Sequence, residues 1–424
     1  MKKYPNRWLI AAVSCIINLC LGTNYAWSVF AGPLAQRLNV VNGLTGAAML
    51  HAGNLAIVFT TMHAMLPIAM ICGGAINDRY GPRLLVCGGS LMFGGGMILA
   101  GLVESVQGMV AVYGFLAGLG FSLVYTCTVN NAIKFFPDKK GLMGGLTTAS
   151  YGLSPVILSP VIQGMIERWG VSYTLSLLGI VFAVVICAGS FFLAKCPEDY
   201  APPGFVPSDA AYGGGRDYTW RQMLRCPLFY VMFFLFACGS LQGLMMISQA
   251  STVAQEMAGM PVAAAAVMVS LLALFNAAGR AICGYISDKL GRINVITVAS
   301  LTSLGGLALL YFSAKQGAIL FAVGICLVGF CFGSFLGVFP GFTTDRFGVR
   351  NSSVNYGVMF LGFSLGSLTG PNLMNQVRQA SGNYQAAFII AAVLAFCGFL
   401  LTFVYRRVAK SEREWDKAAK ISRI

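Results

Sequence analysis

The stretch Gly74-Ala75-Ile76-Asn77-Asp78-Arg79-Tyr80-Gly81-Pro82-Arg83 returns in related form 210 residues later, as Gly284-Tyr285-Ile286-Ser287-Asp288-Lys289-Leu290-Gly291-Arg292. Each copy follows a long apolar run. Each keeps a glycine, an acidic residue four positions on, a basic residue beside it and a second glycine. Because the repeat recurs at half the chain length, it predicts a chain built of two related halves.

The composition places both halves in a membrane. Of the 424 residues, 57% are hydrophobic and 10% are charged, against roughly 25% charged in an ordinary soluble domain. Because about 20 apolar residues cross a bilayer, apolar runs of about that length predict twelve spans, at 8–30, 54–77, 84–104, 108–131, 142–165, 172–194, 228–250, 262–286, 293–313, 317–341, 353–376 and 385–405. We therefore predict an all-α polytopic membrane protein with twelve transmembrane helices in two parallel six-helix halves.

The same pattern predicts the division of the chain. The expected units are a first half at 1–195, a cytoplasmic linker rich in proline and glycine at 196–227, a second half at 228–405 and a basic tail at 406–424. Small residues spaced by four, Gly362, Gly366 and Gly370, are typical of a face on which another helix packs closely.

The excess of basic residues predicts orientation. The net charge is +14, but 23 of the 28 lysines and arginines fall in the tails and in the loops on the side of the N-terminus, and only four fall on the other side. The positive-inside rule then places both termini in the cytoplasm. We expect a plasma (cell inner) membrane protein with the lipid bilayer as its partner and no nucleic acid.

The repeated loops are candidate gating elements. Their first glycine lets a neighbouring helix approach, the aspartate can hold a basic partner near a helix end, and the second glycine turns the chain. The residues assigned to this role are Gly74, Asp78, Arg79, Gly81, Arg83, Gly284, Asp288, Lys289, Gly291 and Arg292.

Arg280 is the one basic residue inside a predicted span. An arginine at membrane depth costs about 2.5–3.5 kcal/mol on insertion scales and normally has a partner, yet no acidic residue of this sequence lies well within a span. A carboxylate of the cargo would fit the guanidinium. The alternative is that Arg280 extends toward Asp288 or the membrane surface.

Further candidates are polar or aromatic residues on the inner faces of spans. Those that could line a cavity with Arg280 are Asn276, Asn24, Tyr25, Tyr125, Tyr151, Cys331 and Phe335. His63 is either a proton carrier, since histidine titrates near neutral pH, or a polar packing residue.

Enzymatic chemistry is not expected. Gly362-Phe363-Ser364-Leu365-Gly366 matches the serine-hydrolase pattern, but Ser364 lies in an apolar helix without triad partners. No phosphate-binding loop motif occurs, and the thirteen cysteines include no C-x-x-C pair. We expect no catalytic site, no metal and no cofactor.

Several stretches carry a family resemblance, namely Asn24 to Phe30, Asp78 to Arg83, Lys134 to Gly141, Asn276 to Arg280 and Asn355 to Gly357. On these the chain resembles the oxalate/formate antiporter family, which is similar to the monocarboxylate transporters of the major facilitator superfamily. The resemblance implies that Arg280 binds the substrate in a cavity lined by the residues above.

One departure from that family bears on the substrate. Its oxalate carriers have a lysine in the eleventh span, near Gly362 or Phe363 here, and this sequence has no charge there. One fixed cation suits one carboxylate, so the sequence predicts a secondary transporter of a small monocarboxylate such as lactate, pyruvate, formate or acetate, acting as a monomer, proton-coupled or anion-exchanging. The alternatives are an oxalate/formate-type dicarboxylate antiporter and a major facilitator exporter of another small molecule.

Overall fold

The computed structural model describes residues 5–42, 55–197, 200, 202, 217–382 and 384–421. Long helices make up most of this part of the chain, because in lipid each backbone amide must find its hydrogen-bond partner within its own segment. The helices are α1 (Arg7–Leu21), α2 (Trp27–Asn42), α3 (Ala56–Tyr80), α4 (Arg83–Leu102), α5 (Val106–Met109), α6 (Gly118–Phe135), α7 (Lys140–Ser190), α8 (Trp220–Leu224), α9 (Pro227–Ala258), α10 (Val262–Leu290), α11 (Arg292–Gln316), α12 (Ala318–Phe347), α13 (Ser352–Met359), α14 (Leu361–Ser381) and α15 (Gln385–Ile421).

Ten helical stretches of the described residues are long and apolar enough to cross a membrane. Two features reconcile this number with the twelve predicted spans. The 51-residue α7 is broken at Gly170, where φ is 77° and ψ is 164°, so it forms two consecutive spans. The predicted eleventh span is made of α13 and α14, which are rich in serine, threonine and asparagine and pack against α3 and α9.

Two helices extend well beyond their predicted spans. The first span was expected to end at residue 30, but α1 continues through a 3₁₀ segment, Gly22–Ala26, into α2 as far as Asn42. The last was expected to end at 405, but α15 continues to Ile421. Both extensions leave the apolar run, and in α15 the lysines, glutamates and alanines that follow are good helix formers.

One side of the molecule carries the two motif turns, and we call it the motif side. It includes the turns at Gly81 and Gly291, which have φ values of 89° and 86°. Arg7 at the start of α1 pairs with Asp138 at 2.8 Å, and Arg406 in α15 donates to Asn294 Oδ1 at 3.0 Å. The described ends of the chain therefore also lie on the motif side.

The two halves meet chiefly where α7 packs on α10 and α13 packs on α3. Glycines allow the close approach. A β-carbon on Gly74 would lie 2.8 Å from the Val354 backbone, and one on Gly284 would lie 2.4 Å from the Gly141 carbonyl oxygen. These contacts close the motif side.

Candidate functional site

Arg280 is buried in α10 at the interface between the halves, with 1% of its surface exposed. Its Nε donates to Asn276 Oδ1 at 2.9 Å, and its Nη1 donates to the Thr148 carbonyl oxygen of α7 at 2.8 Å. Its Nη2 is buried without a hydrogen-bond partner. The alternative that this side chain extends to the membrane surface is therefore wrong.

Asp288, the acid that could have neutralised Arg280, is occupied elsewhere. Its carboxylate oxygens accept from the backbone amides of Gly141 and Leu142 at 2.8 Å each, and Arg292 lies 2.7 Å away. Within the described part of the chain, no acidic side chain forms an ion pair with Arg280. A buried cation whose Nη2 group is free is suited to an anionic ligand.

Small residues bring three helices close together at Arg280. A β-carbon on Gly145 of α7 or on Gly337 of α12 would lie 2.3 Å from the Arg280 carbonyl oxygen, and one on Gly152 would lie 3.3 Å from Nε. Gly333 approaches the Asn276 carbonyl oxygen in the same way. The guanidinium reaches across to the first half because these positions carry no side chain.

Three of the predicted tyrosines lie together beside the guanidinium. The Tyr151 ring centroid is 5.7 Å from Arg280 Cζ, 4.6 Å from the Tyr25 ring and 5.6 Å from the Tyr125 ring. Asn24 precedes Tyr25 in the 3₁₀ segment, and its buried side chain lies next to Tyr151. Hydroxyl, amide and guanidinium groups thus converge at the interface of the halves.

The other two predicted residues lie within the second half. Phe335 packs on Gly239 of α9 and stacks with Phe339 at 6.1 Å. Cys331, on the same face of α12, is buried with 1% of its surface exposed. The α12 residues that contact α10 beside Arg280 are instead Gly333 and Gly337, so the contribution of Cys331 and Phe335 to a binding site stays a prediction.

Tyr356 is a site candidate that the sequence reasoning did not single out. It is fully buried in α13, and its hydroxyl has no hydrogen-bond partner among the described residues. Its ring is 5.5 Å from Phe360, which is 6.4 Å from the Tyr125 ring. In the sequence, Tyr356 was noted only as part of the stretch Asn355 to Gly357, which contributes to the family resemblance but indicated no role for this tyrosine.

Phe360 also belongs to a cluster of rings in the second half, which we call the aromatic wall and which contains Phe363, Phe236 and Phe332. Its ring centroid is 4.5 Å from that of Phe363, which is 6.1 Å from Phe236 and 6.4 Å from Phe332. Phe363 stands near the position where the resemblance led us to look for a lysine. The wall offers apolar surface and no charge.

His63 lies at the far end of the tyrosine group. Its Nδ1 is 3.0 Å from the Phe59 carbonyl oxygen of its own helix, α3, and its ring is 4.1 Å from that of Phe59 and 6.3 Å from that of Tyr25. Contacts between neighbouring rings connect it to Arg280 through Tyr25 and Tyr151.

The motif residues of the second half form an ion network across the interface. Arg292 pairs with Asp288 at 2.7 Å and with Asp345 at 2.9 Å, and Asp345 accepts from Lys140 of the first half at 2.8 Å. Asp288 also receives the first amides of α7, where the helix dipole favours negative charge. Lys289 lies over the ring of Tyr285 at 4.7 Å.

The motif residues of the first half make a similar arrangement. Asp78 pairs with Lys134 at 2.6 Å and accepts from the Val354 amide, near the start of α13, at 3.3 Å. Asn77 Nδ2 donates to Ser353 Oγ at 2.9 Å. Within its own half, Arg83 Nε donates to the Leu193 carbonyl oxygen. Each motif aspartate thus binds the N-terminus of a helix from the other half.

Comparisons with known proteins agree with this arrangement. A sequence profile of the Major Facilitator Superfamily matches residues 8–371. The chain is 29% identical over 420 residues to the oxalate:formate antiporter of Oxalobacter formigenes. This alignment covers 97% of this chain and 94% of that protein. It is 29% identical over 364 residues to the uncharacterized MFS-type transporter YhjX of Escherichia coli (strain K12), covering 85% and 86% of the two chains.

More distant relatives and a solved structure share the same fold. Monocarboxylate transporter 12-B of Danio rerio is 23% identical over 439 residues, covering 97% of this chain and 89% of that protein. The crystal structure of FucP, a Major Facilitator Superfamily transporter in the outward conformation, superposes with a TM-score of 0.68 at 14% identity, over 93% of this chain and 98% of that one. The predicted membrane fold is confirmed.

Proposed function

The chain belongs to the Major Facilitator Superfamily, and on this premise we propose that it is a secondary transporter of a small monocarboxylate anion, working by alternating access. The observation that carries the proposal is Arg280, a buried guanidinium with a free Nη2 and no acidic partner among the described residues. A carboxylate would supply the missing charge and accept the free hydrogen bond.

The surroundings of Arg280 favour a substrate with one carboxylate and a small apolar body. Tyr25, Tyr125 and Tyr151 would hydrogen-bond the carboxylate or enclose it, and the aromatic wall at Phe360 and Phe363 would contact the apolar end. A second carboxylate would meet that wall without a cation. The relatives named as oxalate:formate antiporter and monocarboxylate transporters support carboxylate transport in general, and a monocarboxylate is the class that this chain's own residues favour over oxalate.

Alternating access follows from where the site lies. Arg280 and Asn276 come from the second half, whereas Thr148 and Tyr151 come from the first, so separating the halves on either side would expose the anion to that side. The described contacts at the motif turns hold one side closed. Breaking them and closing the opposite side would release the substrate on the motif side.

Orientation, coupling and assembly form part of the same proposal. The distribution of basic residues favours a cytoplasmic motif side with both termini there, in the cell inner membrane. Entry of a proton with the anion, or exchange for a second anion, would complete the cycle. One chain contains both halves of the site, which favours a monomer as the working unit.

The test is uptake of radiolabelled formate, acetate, lactate and pyruvate into proteoliposomes. Arg280→Ala should lower the initial rate about 100-fold, as expected when a buried charge partner is removed, and Arg280→Lys should also impair transport because an ammonium lacks the paired donors of a guanidinium. The matched control is Arg378→Gln, which removes an exposed arginine paired with Glu256 away from the site and should transport normally.

Two results would contradict the proposal. One is undiminished uptake by Arg280→Ala. The other is a wild-type protein that none of the four carboxylates stabilises against heat but that a neutral solute does, which would indicate a transporter of another cargo.

A further inference from the structure

A second cavity lies on the motif side, outside the site around Arg280. Its volume is about 1000 Å³, the size of a site for a small organic ligand. It lies between the halves, with Arg79 and Lys195 on the side of the first half, Arg350 on the side of the second, and Arg221 on the short helix α8 that precedes the second half.

The lining of this cavity is strongly cationic. Among the residues that the structure describes, six basic side chains and two acidic ones line it. Both acids are engaged, since Asp78 binds Lys134 and the Val354 amide, and Asp217 accepts from the Arg350 backbone amide at 3.1 Å. Four exposed cations, Arg79, Lys195, Arg221 and Arg350, form no ion pair with any residue that the structure describes.

Two of the four cations make further contacts beside the cavity. Lys195 Nζ donates to the Arg79 carbonyl oxygen at 2.8 Å, and the Arg221 guanidinium lies over the Trp220 ring at 5.1 Å. Like charges converging from four segments repel one another, and this repulsion is relieved by a ligand of opposite charge.

We propose that this cavity binds a ligand with two or more anionic groups, phosphate or carboxylate, and that the bound ligand holds the motif side closed. A single monocarboxylate would leave most of the four cations uncompensated. Because both halves line the cavity, it keeps this shape only while they are in contact on the motif side, so a ligand bound there stabilises that conformation.

This chemistry has two possible sources, a soluble polyanion and the headgroups of anionic lipids. For the first, inorganic tripolyphosphate is added to the purified full-length protein in detergent, and the melting temperature is measured. For the second, nanodiscs of phosphatidylglycerol are compared with nanodiscs of phosphatidylcholine. We expect a rise of about 3 °C from one of these sources, decreasing as salt is raised.

Arg350→Gln and Arg221→Gln are the test variants, and Arg407→Gln, an exposed residue in the last part of α15, is the matched control. Without a polyanion all three should melt within about 1 °C of the wild type, because exposed substitutions have small effects. The stabilisation by polyanion should fall by half or more in the two cavity variants and persist in the control.

Three outcomes would overturn the proposal: no stabilisation from either source, equal loss in Arg407→Gln, or the same stabilisation by acetate at matched ionic strength. A separate measurement addresses the closed motif side and rests on the proposed function. Tripolyphosphate on the motif side should slow carboxylate uptake at least twofold in the wild type and not in Arg350→Gln. Melting tests the site without any transport, so a failure of the proposed substrate class would leave that result standing.

Discussion

Arg280 is the residue on which the proposed function depends most. Burying a guanidinium is costly unless its charge and its donors are satisfied, and here Asn276 and Thr148 satisfy two donors while the charge stays uncompensated within the described residues. An anion that binds and leaves can complete such a site repeatedly, whereas a permanent carboxylate would keep it occupied. This would be the physical reason for an arginine without an acidic partner where the two halves of a transporter meet.

The side chain at position 363 should determine whether the protein prefers a substrate with one carboxylate or with two. Replacing Phe363 with lysine places a second cation in the aromatic wall, so we expect the ratio of oxalate to formate uptake to rise about tenfold or more. Uptake of both labelled anions into proteoliposomes measures this ratio.

The control for that experiment is Phe363→Leu, which keeps the wall apolar and should leave the ratio unchanged. A folded Phe363→Lys protein with the wild-type ratio would show that this position does not contact the substrate.

His63 should prove to be a packing residue rather than a proton carrier. Its ring packs against Phe59 and faces Tyr25, and its Nδ1 bonds to its own helix. Glutamine can replace this hydrogen bond without titrating. We expect His63→Gln to retain uptake driven by an imposed pH gradient within about threefold of the wild type. A loss of more than about tenfold in that uptake, with anion exchange intact, would instead assign the proton to His63.

At the scale of helices, the contact between α7 and α10 joins the binding site to the closed motif side. The same stretch of α7 gives its first amides to Asp288, its Gly145 to the Arg280 backbone and its Thr148 carbonyl to the guanidinium. Movement of α7 away from α10 would therefore break the hydrogen bonds to Asp288 and separate the groups of the proposed anion site at the same time. On the other side of the interface, the hydrogen bond from the Val354 amide of α13 to Asp78 of α3 joins the halves in the same way.

Gly145→Ala should open the motif side without unfolding the protein. Its β-carbon would lie 2.3 Å from the Arg280 carbonyl oxygen, and since these atoms belong to different halves, the halves can separate to relieve the clash. The amides of Gly141 and Leu142 should then exchange hydrogen about tenfold faster, because the first amides of a helix have no partners within it. Hydrogen exchange read by mass spectrometry measures this rate.

The matched control is Gly88→Ala in α4, where an added β-carbon has open space and exchange should match the wild type. Unchanged exchange at the start of α7 in a folded Gly145→Ala protein would mean that the halves do not separate there.

At the scale of the whole molecule, the cation excess has two distinct consequences. Most basic residues lie on the motif side, which is the signal for orientation. Four of them also line the second cavity. The positive-inside rule explains the side on which they lie but not this clustering. In our two proposals, Arg280 binds a small anion in the interior, and the four cations on the motif side bind a larger one.

Both termini should face the cytoplasm. A cleavable tag at either end should be protected from added protease in right-side-out vesicles and be removed in inside-out vesicles, since the loops on that side carry the basic residues. Cleavage of either tag in sealed right-side-out vesicles would reverse the orientation that we propose.

The sequence by itself determined the membrane fold, the number of spans and the repeated halves. Long apolar runs and a motif repeated at half length can be recognised along the chain without knowledge of its tertiary contacts. It also singled out Arg280, since a charge inside an apolar run is visible without coordinates. Helix ends such as those of α2 and α15 were missed because polar helix formers extend a helix beyond its apolar part.

Only the tertiary structure decided what surrounds Arg280. Tyr151 and Thr148 lie well over a hundred residues from it in the chain, and Tyr356 comes from a third helix, so no spacing rule relates them. The second cavity depends in the same way on segments that meet only when the halves close. Charge and apolar length can be read along the chain, but the shape of a site between two halves exists only once their helices have packed.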